Sequence, residues 1–192
     1  MKASLLKSVL PIAAAAALCL PATLQAAAPE WSVNGSESRL TFSGTNAGNA
    51  FEGHFDRWDS RIRFDPDDLA GSRIIIVVAT GTATLGDRVQ ETTLRGGEWF
   101  DTGNHPTATF SSNSIEASGG NRYIANGTLS MKGRTVPISL PFTVTINGTR
   151  AQASGQLTLD RTQLGLGMQS DPRAEWVSRN IDLRFSLTAT RS

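Results

Sequence analysis

The sequence predicts an all-β protein, a single barrel of eight antiparallel strands with one or two short helices. Three observations carry that reading. Apolar and polar residues alternate at period two in segment after segment, which makes one face of each strand dry and the other wet. Gly or Asn-Gly pairs separate several of these segments, and 18 Gly and 8 Pro among 192 residues give a turn-rich composition. Helical periodicity is missing from most of the chain. Eight alternating strands close most economically into an up-and-down barrel, which removes exposed edges and leaves room for side chains or one small ligand. With 39% hydrophobic and 18% charged residues, extensive disorder and a coiled coil are both excluded.

Residues 1–28 stand apart from this domain. Lys2 and Lys7 precede an apolar run from Val9 to Leu20, followed by Pro21 and Ala26-Ala27-Ala28, the order of parts in a secretory signal peptide. The run contains Pro11 and falls well short of the roughly 20 residues that cross a bilayer as a helix, so no stable membrane anchor is expected. Cleavage after Ala28 puts Ala at both −1 and −3; cleavage after Ala26, the second choice, puts Leu24 at −3. The mature domain is then 29–192, periplasmic or secreted. The single cysteine, Cys19, leaves with the leader, and Leu18 before it is too bulky for lipoprotein processing. The domain must therefore be stable without disulfides. Loss of Lys2 and Lys7 turns 18 basic residues into 16 against 17 acidic ones, a balance without the field that nucleic acid or anionic membrane requires. The scattered arginines read as solvated barrel exterior.

Along the domain, Leu40 and Phe42 open the alternation. Between Phe51 and Phe64 the phase changes, from odd positions (Phe51, Phe55) to even ones (Trp58, Ile62, Phe64), which a β-bulge near Asp56-Arg57 reconciles. Ile74 to Ala79 is apolar on both faces, so its outer face needs a cover. The helix-compatible stretch Asp87 to Leu94, with Asp87 as cap and Gly96-Gly97 as stop, is the candidate, and Trp99 and Phe100 follow it. Alternation resumes at Ala108 and Phe110, at Tyr123 to Met131, and most cleanly at Ile138, Leu140, Phe142, Val144 and Ile146. Asn147-Gly148 reads as the two central residues of a type I′ hairpin turn. Ala153 to Leu159 and a closing strand with Ile181, Leu183, Phe185 and Leu187 complete the sheet.

Several landmarks then stand in a recognisable order: Phe64-Asp65 with Asp68-Leu69 and Ser72; Trp99-Phe100-Asp101, His105-Pro106 and Phe110; Gly127-Thr128-Leu129 with Gly133; Asp160-Arg161 with Gly165 and Gly167. The ordered set resembles the YceI-like family of exported, lipocalin-like proteins over about residues 30 to 190. That resemblance implies a lipocalin-like barrel that binds a polyisoprenoid or another lipid-like molecule, a hydrophobic tunnel rather than a catalytic constellation. Its expected lining consists of inward apolar residues: Leu40, Phe42, Phe64, Phe110, Leu129, Leu140, Phe142, Val144, Leu183 and Phe185. In the helical stretch, where many members carry an Arg-Asp pair and a His, this chain has Gln90-Glu91 and Thr93, and Leu164 stands where an aromatic is common. These departures bear on the ligand's identity more than on the fold.

The remaining chemistry is sparse. His54 and His105 lack metal-ligand spacing, and His105 before Pro106 reads as a structural residue at a loop-to-strand junction. Asp65, Asp67 and Asp68 read as turn formers rather than a calcium loop, and Gly165-Leu166-Gly167 as a strand bend. Asn34, Asn126 and Asn147 sit in glycosylation sequons that read as turns. No nucleophile, base and orienting group are spaced for catalysis, so neither an enzyme, a metal nor a cofactor is expected. Two readings remain: a hollow barrel carrying a long-chain amphiphile, polyisoprenoid or quinone-like, and a structural or interaction module whose barrel is solid. Both need the same alternation. The sequence leaves a homodimer open. Phe142, central in the cleanest strand, is the expected place to distinguish hollow from solid.

Overall fold

The structure, a computed structural model, describes residues 27–192. The expected signal peptide lies outside the described residues apart from Ala27 and Ala28. Eleven strands form one sheet: β1 (Glu30–Val33), β2 (Arg39–Asn46), β3 (Asn49–Phe55), β4 (Trp58–Arg63), β5 (Arg73–Ala79), β6 (Ala83–Thr84), β7 (Thr107–Ala117), β8 (Arg122–Met131), β9 (Arg134–Asn147), β10 (Arg150–Asp160) and β11 (Asn180–Arg191). One α-helix, α1 (Arg88–Arg95), and two single 3-10 turns complete it.

The eleven segments make eight staves, because three staves are broken: β1 continues into β2, β3 into β4, and β5 into β6. The long β11 closes the ring. It pairs with β10 along one edge, and along the other with β1 (Trp31 opposite Arg191) and β2 (Leu183 opposite Phe42). All pairings are antiparallel, so the predicted eight-stranded barrel is the observed one.

Each break has a local cause. The Gly35–Glu37 turn, capped by the Asn34 side chain, separates β1 from β2. Between β3 and β4, Asp56 and Arg57 leave the regular ladder: Asp56 N donates to Thr82 O, Arg57 N to Thr82 Oγ1, and Arg57 O accepts from Ala79 N. The irregularity lies where the phase change placed it. A second one, unexpected, lies in β7, where Ser112 faces Gly127 and Ser114 faces Asn126, so that Asn113 is extra. There a Cβ on Gly127 would stand 2.2 Å from Ser111 O, so the site excludes any side chain.

Four expectations are corrected. Asn126-Gly127-Thr128 is no turn but lies within β8, paired with β7 and β9. The two-residue loop between β9 and β10 is Gly148-Thr149, since Asn147 still pairs with Arg150, and of Asn147, Gly148 and Thr149 only Gly148 has positive φ. This is the glycine-first type II′ arrangement, not type I′. Lys132-Gly133 does have positive φ at both positions, as a type I′ turn demands. The helix does not cover the outside of β5: it packs against β6 at one end of the barrel. The outward Ile75 and Val77 instead lie in register between Arg61 and Ser111 and between Asp59 and Thr109, and are half-buried. Finally, Gly165-Leu166-Gly167 is no strand bend but part of the long 161–179 connection.

Candidate functional site

The barrel interior is organised around two apolar clusters. At one end, called the Trp31 end, Phe64, Tyr123 and Phe142 form a ring trio with centroids 5.0, 5.5 and 5.9 Å apart. Trp31, Ile115, Ala151 and Ala189 pack with it, and the Trp31 indole donates to Phe64 O at 2.9 Å. At the other, the Trp99 end, Phe55 stacks on Phe100 and meets Phe42 at a tilt, with Met131, Leu164 and Leu166 beside them.

Between these clusters lie two chambers, of about 170 and about 300 Å³. They share Leu40, Val78, Ala108, Leu129, Leu159 and Leu183 as walls, so they abut in the middle of the barrel. The first, toward the Trp31 end, is lined by apolar side chains alone. The second adds Asn46, Gln90, Thr93 and Arg161. All ten residues expected from sequence line this space. Phe64, Phe110, Leu140, Phe142, Val144 and Phe185 line the first chamber, Phe42 the second, and Leu40, Leu129 and Leu183 both. Leu40, Leu129 and Leu183 point inward yet are only half-buried, and the chambers lie against them. In a close-packed interior such residues would be fully enclosed.

Sequence reasoning missed the cover of the Trp99 end. Helix α1 lies across the second chamber with Val89, Gln90, Thr93 and Leu94 on its wall, and Trp99, Phe100, Leu164 and Leu166 complete it. The helix buries no residue fully. Its anchorage is largely polar: Asp87 caps it through Val89 N and Gln90 N, Glu91 Oε1 accepts from Leu85 N and Gly86 N, and Arg95 donates to Ala83 O.

Arg161, expected on the exterior, is 1% exposed. Its guanidinium donates to Asp171 Oδ2 at 2.7 Å, to Leu166 O at 2.6 Å, and to the carbonyls of Val177 and Ser178 at 2.9 and 3.2 Å, while Trp99 lies 5.3 Å beneath it. Burial pushes the Asp171 carboxyl up, but the amides of Val177, Glu175 and Trp176 together with Arg161 outweigh it, and its pKa ends below its ordinary 3.8. The buried ion pair joins the start of the 161–179 connection to its middle, and the Val177 and Ser178 groups bonded to it bring in the far end. Gly167 fits against it only as glycine: its φ is +68° and a Cβ would meet the Trp99 ring at 2.7 Å. The one signal in sequence was the Asp160-Arg161 landmark, which marks position but not burial.

Lys132 makes a second tie, its ammonium donating to Glu98 O and to Gly165 O, and burial holds its pKa below 10.5. The Glu98 carboxylate accepts from Gln169 N and Ser170 N. Both histidines lie outside the chambers. His54 is half-buried beside Asp56 at 3.1 Å, and His105 O accepts from Thr80 Oγ1 before β7. Asp65 and Asp68 close a turn through Asp67 N and Gly71 N. Among the described residues no three His, Cys, Asp or Glu side chains gather as metal ligands, and no helix is long and apolar enough to cross a membrane.

Comparison with known proteins accords with this architecture. A UPF0312 protein of Vibrio parahaemolyticus is 27% identical over 135 residues, 70% of this chain and 71% of that protein. A UPF0312 protein of Pseudomonas paraeruginosa is 26% identical over 145 residues, 72% of this chain and 73% of its own length. Among solved structures, BcnA of Burkholderia cenocepacia superposes with a TM-score of 0.79 at 28% identity, covering 83% of this chain and all of that one. A polyisoprenoid binding domain from Saccharophagus degradans, implicated in plant cell wall breakdown, has the same fold, with a TM-score of 0.68 at 16% identity over 85% of this chain and 99% of that one. The YceI-like domain model matches residues 31–189, nearly the whole described barrel, and the chain belongs to the YceI-like family.

Proposed function

We propose that this chain is an exported carrier that holds a long-chain amphiphile, a polyisoprenoid or a quinone-like molecule, inside its barrel. The observation that carries this reading is the pair of abutting chambers, apolar throughout except at the Trp99 end. A tail in the first chamber finds only carbon around it, and each methylene taken from water contributes about 0.8 kcal/mol. The headgroup belongs at the Trp99 end, where every polar side chain of the lining lies. The polyisoprenoid binding domain of Saccharophagus degradans, which shares the fold, supports the same class of ligand. The half-buried inward leucines count against the alternative of a solid structural module.

Export rests on the Lys2, Lys7 and Val9–Leu20 leader. Processing after either Ala26 or Ala28 leaves β1 whole. The ligand-binding residues are the ten named lining positions, with Trp31, Trp58 and Trp99 in contact with the same space. Native mass spectrometry of protein taken from the periplasm, with organic extraction of what travels with it, tests the proposal. A discrete mass of a long-chain lipid, absent after extraction, is expected. An empty barrel at its calculated mass, together with no uptake of added polyprenyl alcohol or quinone, contradicts it.

A further inference from the structure

The carrier reading leaves the headgroup's chemistry open, and the Trp99 end narrows it. Of the residues lining the second chamber only Arg161 is charged, and its guanidinium is already engaged by Asp171 and three carbonyl groups. Other cations of the cover are engaged as well: Lys132 holds Glu98 O and Gly165 O, Arg95 holds Ala83 O, Arg134 reaches Gln163 O, and Arg173 and Arg179 face Glu175 and Asp160. Arg88, at the first position of α1, does not line the chamber. The N-terminus of α1 would ordinarily attract an anion, but Asp87 already accepts from Val89 N at 2.8 Å and Gln90 N at 3.0 Å, placing a carboxylate there. What remains at the rim is the amides of Asn46 and Gln90, whose side chains make no hydrogen bond to the described residues, and the acceptor side of the Thr93 hydroxyl, whose proton goes to Val89 O.

Resting on the carrier reading, we infer that this mouth selects a neutral, hydrogen-bonding headgroup, an alcohol or a ring carbonyl, over a phosphate or carboxylate of the same tail. An amide offers both donors and acceptors to such a group. An anion drawn to the edge of the apolar chamber loses water and meets no free cation among the lining side chains, so its desolvation is uncompensated there.

The test is a matched pair of tryptophan-emission titrations, geranylgeraniol against geranylgeranyl phosphate, both below their aggregation concentrations. Trp31, Trp58 and Trp99 line the chambers and report entry. The alcohol is expected to bind at least about tenfold more tightly. Gln90→Arg, an exposed change that leaves the barrel's packing alone, is expected to move the ratio of the two affinities about tenfold toward the phosphate by supplying a charged donor. Equal or tighter binding of the phosphate to the wild type overturns the inference while leaving the carrier reading standing. A wild-type preference that Gln90→Arg does not move overturns its assignment to this rim. Failure of both ligands to saturate removes the carrier reading, and this inference with it.

Discussion

The two ends of the barrel are sealed by opposite means. At the Trp31 end, the staves close the space by themselves: Phe64 just after β4, Tyr123 of β8 and Phe142 of β9 bring their rings together without a polar atom on the chamber wall. At the Trp99 end, the cover is irregular chain and one short helix, held by Arg161–Asp171, by Lys132 and by carboxylates on backbone amides. Apolar packing is non-directional and survives changes in pH. A buried polar network is directional, and it fails as a unit when one partner is lost. The end expected to admit a ligand is thus the one whose closure can be undone locally.

The largest expected effect breaks that contrast at the cover. Arg161→Met leaves Asp171 and several carbonyls without their donor, a loss of about 3 to 5 kcal/mol in unfolding free energy for a broken buried pair. Denaturant unfolding measures it, and hydrogen exchange should place the first loosening in 161–179. A loss below about 1 kcal/mol would mean that the pair does not hold the connection.

Phe142→Trp probes the other end. It is expected to cost about 1 to 3 kcal/mol, because a larger ring must enter a packed trio. Phe142 is 7% exposed, so this position reports the quality of that packing and not the hollowness of the barrel, contrary to what its central place in the strand pattern promised. Lys132→Met is expected to cost less, about 1 kcal/mol for the hydrogen bonds removed, and to speed exchange at Glu98–Phe100 and 165–170 with no change at Tyr123. An equal change at both ends would sink the division drawn here.

Acid sharpens the comparison without mutation. The Asp171 carboxyl lies below 3.8 in the folded protein. A depressed folded value means that its stabilising contribution is complete above the unfolded value and is lost as pH falls through the folded one. Asp160 shifts the same way: burial pushes it up, but hydrogen bonds from Thr162 and the charge and hydrogen bond of Arg179 outweigh that. Exchange in 160–179 should therefore rise below about pH 3.8, ahead of the first chamber, whose wall has no acid. Simultaneous loosening of both ends would show that the cover does not act as a separate unit.

What the sequence made legible follows the same division. Strand periodicity gave the inward face, so all ten lining positions lie on the cavity wall. It gave no height along the barrel, which is why Phe142 and Leu183 read alike although one is packed and the other borders both chambers. The irregularity at Asp56-Arg57 was visible because it shifts the phase of aromatic residues. The one at Asn113 was hidden among serines. The cover was least legible: a charge at position 161 reveals nothing of its burial, and amphipathic α1 fits the outside of β5 as well in pattern as it fits the barrel's mouth in fact.

Hollowness is the central claim, and Leu183→Trp tests it most directly, because Leu183 points inward, is half-buried and borders both chambers. The two readings to take together are the denaturation midpoint and the saturable uptake of geranylgeraniol. An open interior predicts a midpoint shift below about 1 kcal/mol, smaller than that of Phe142→Trp, with uptake strongly reduced because the indole fills the passage between the chambers. A variant destabilised as much as Phe142→Trp, with uptake absent in the wild type too, would contradict the account and leave a solid barrel in its place.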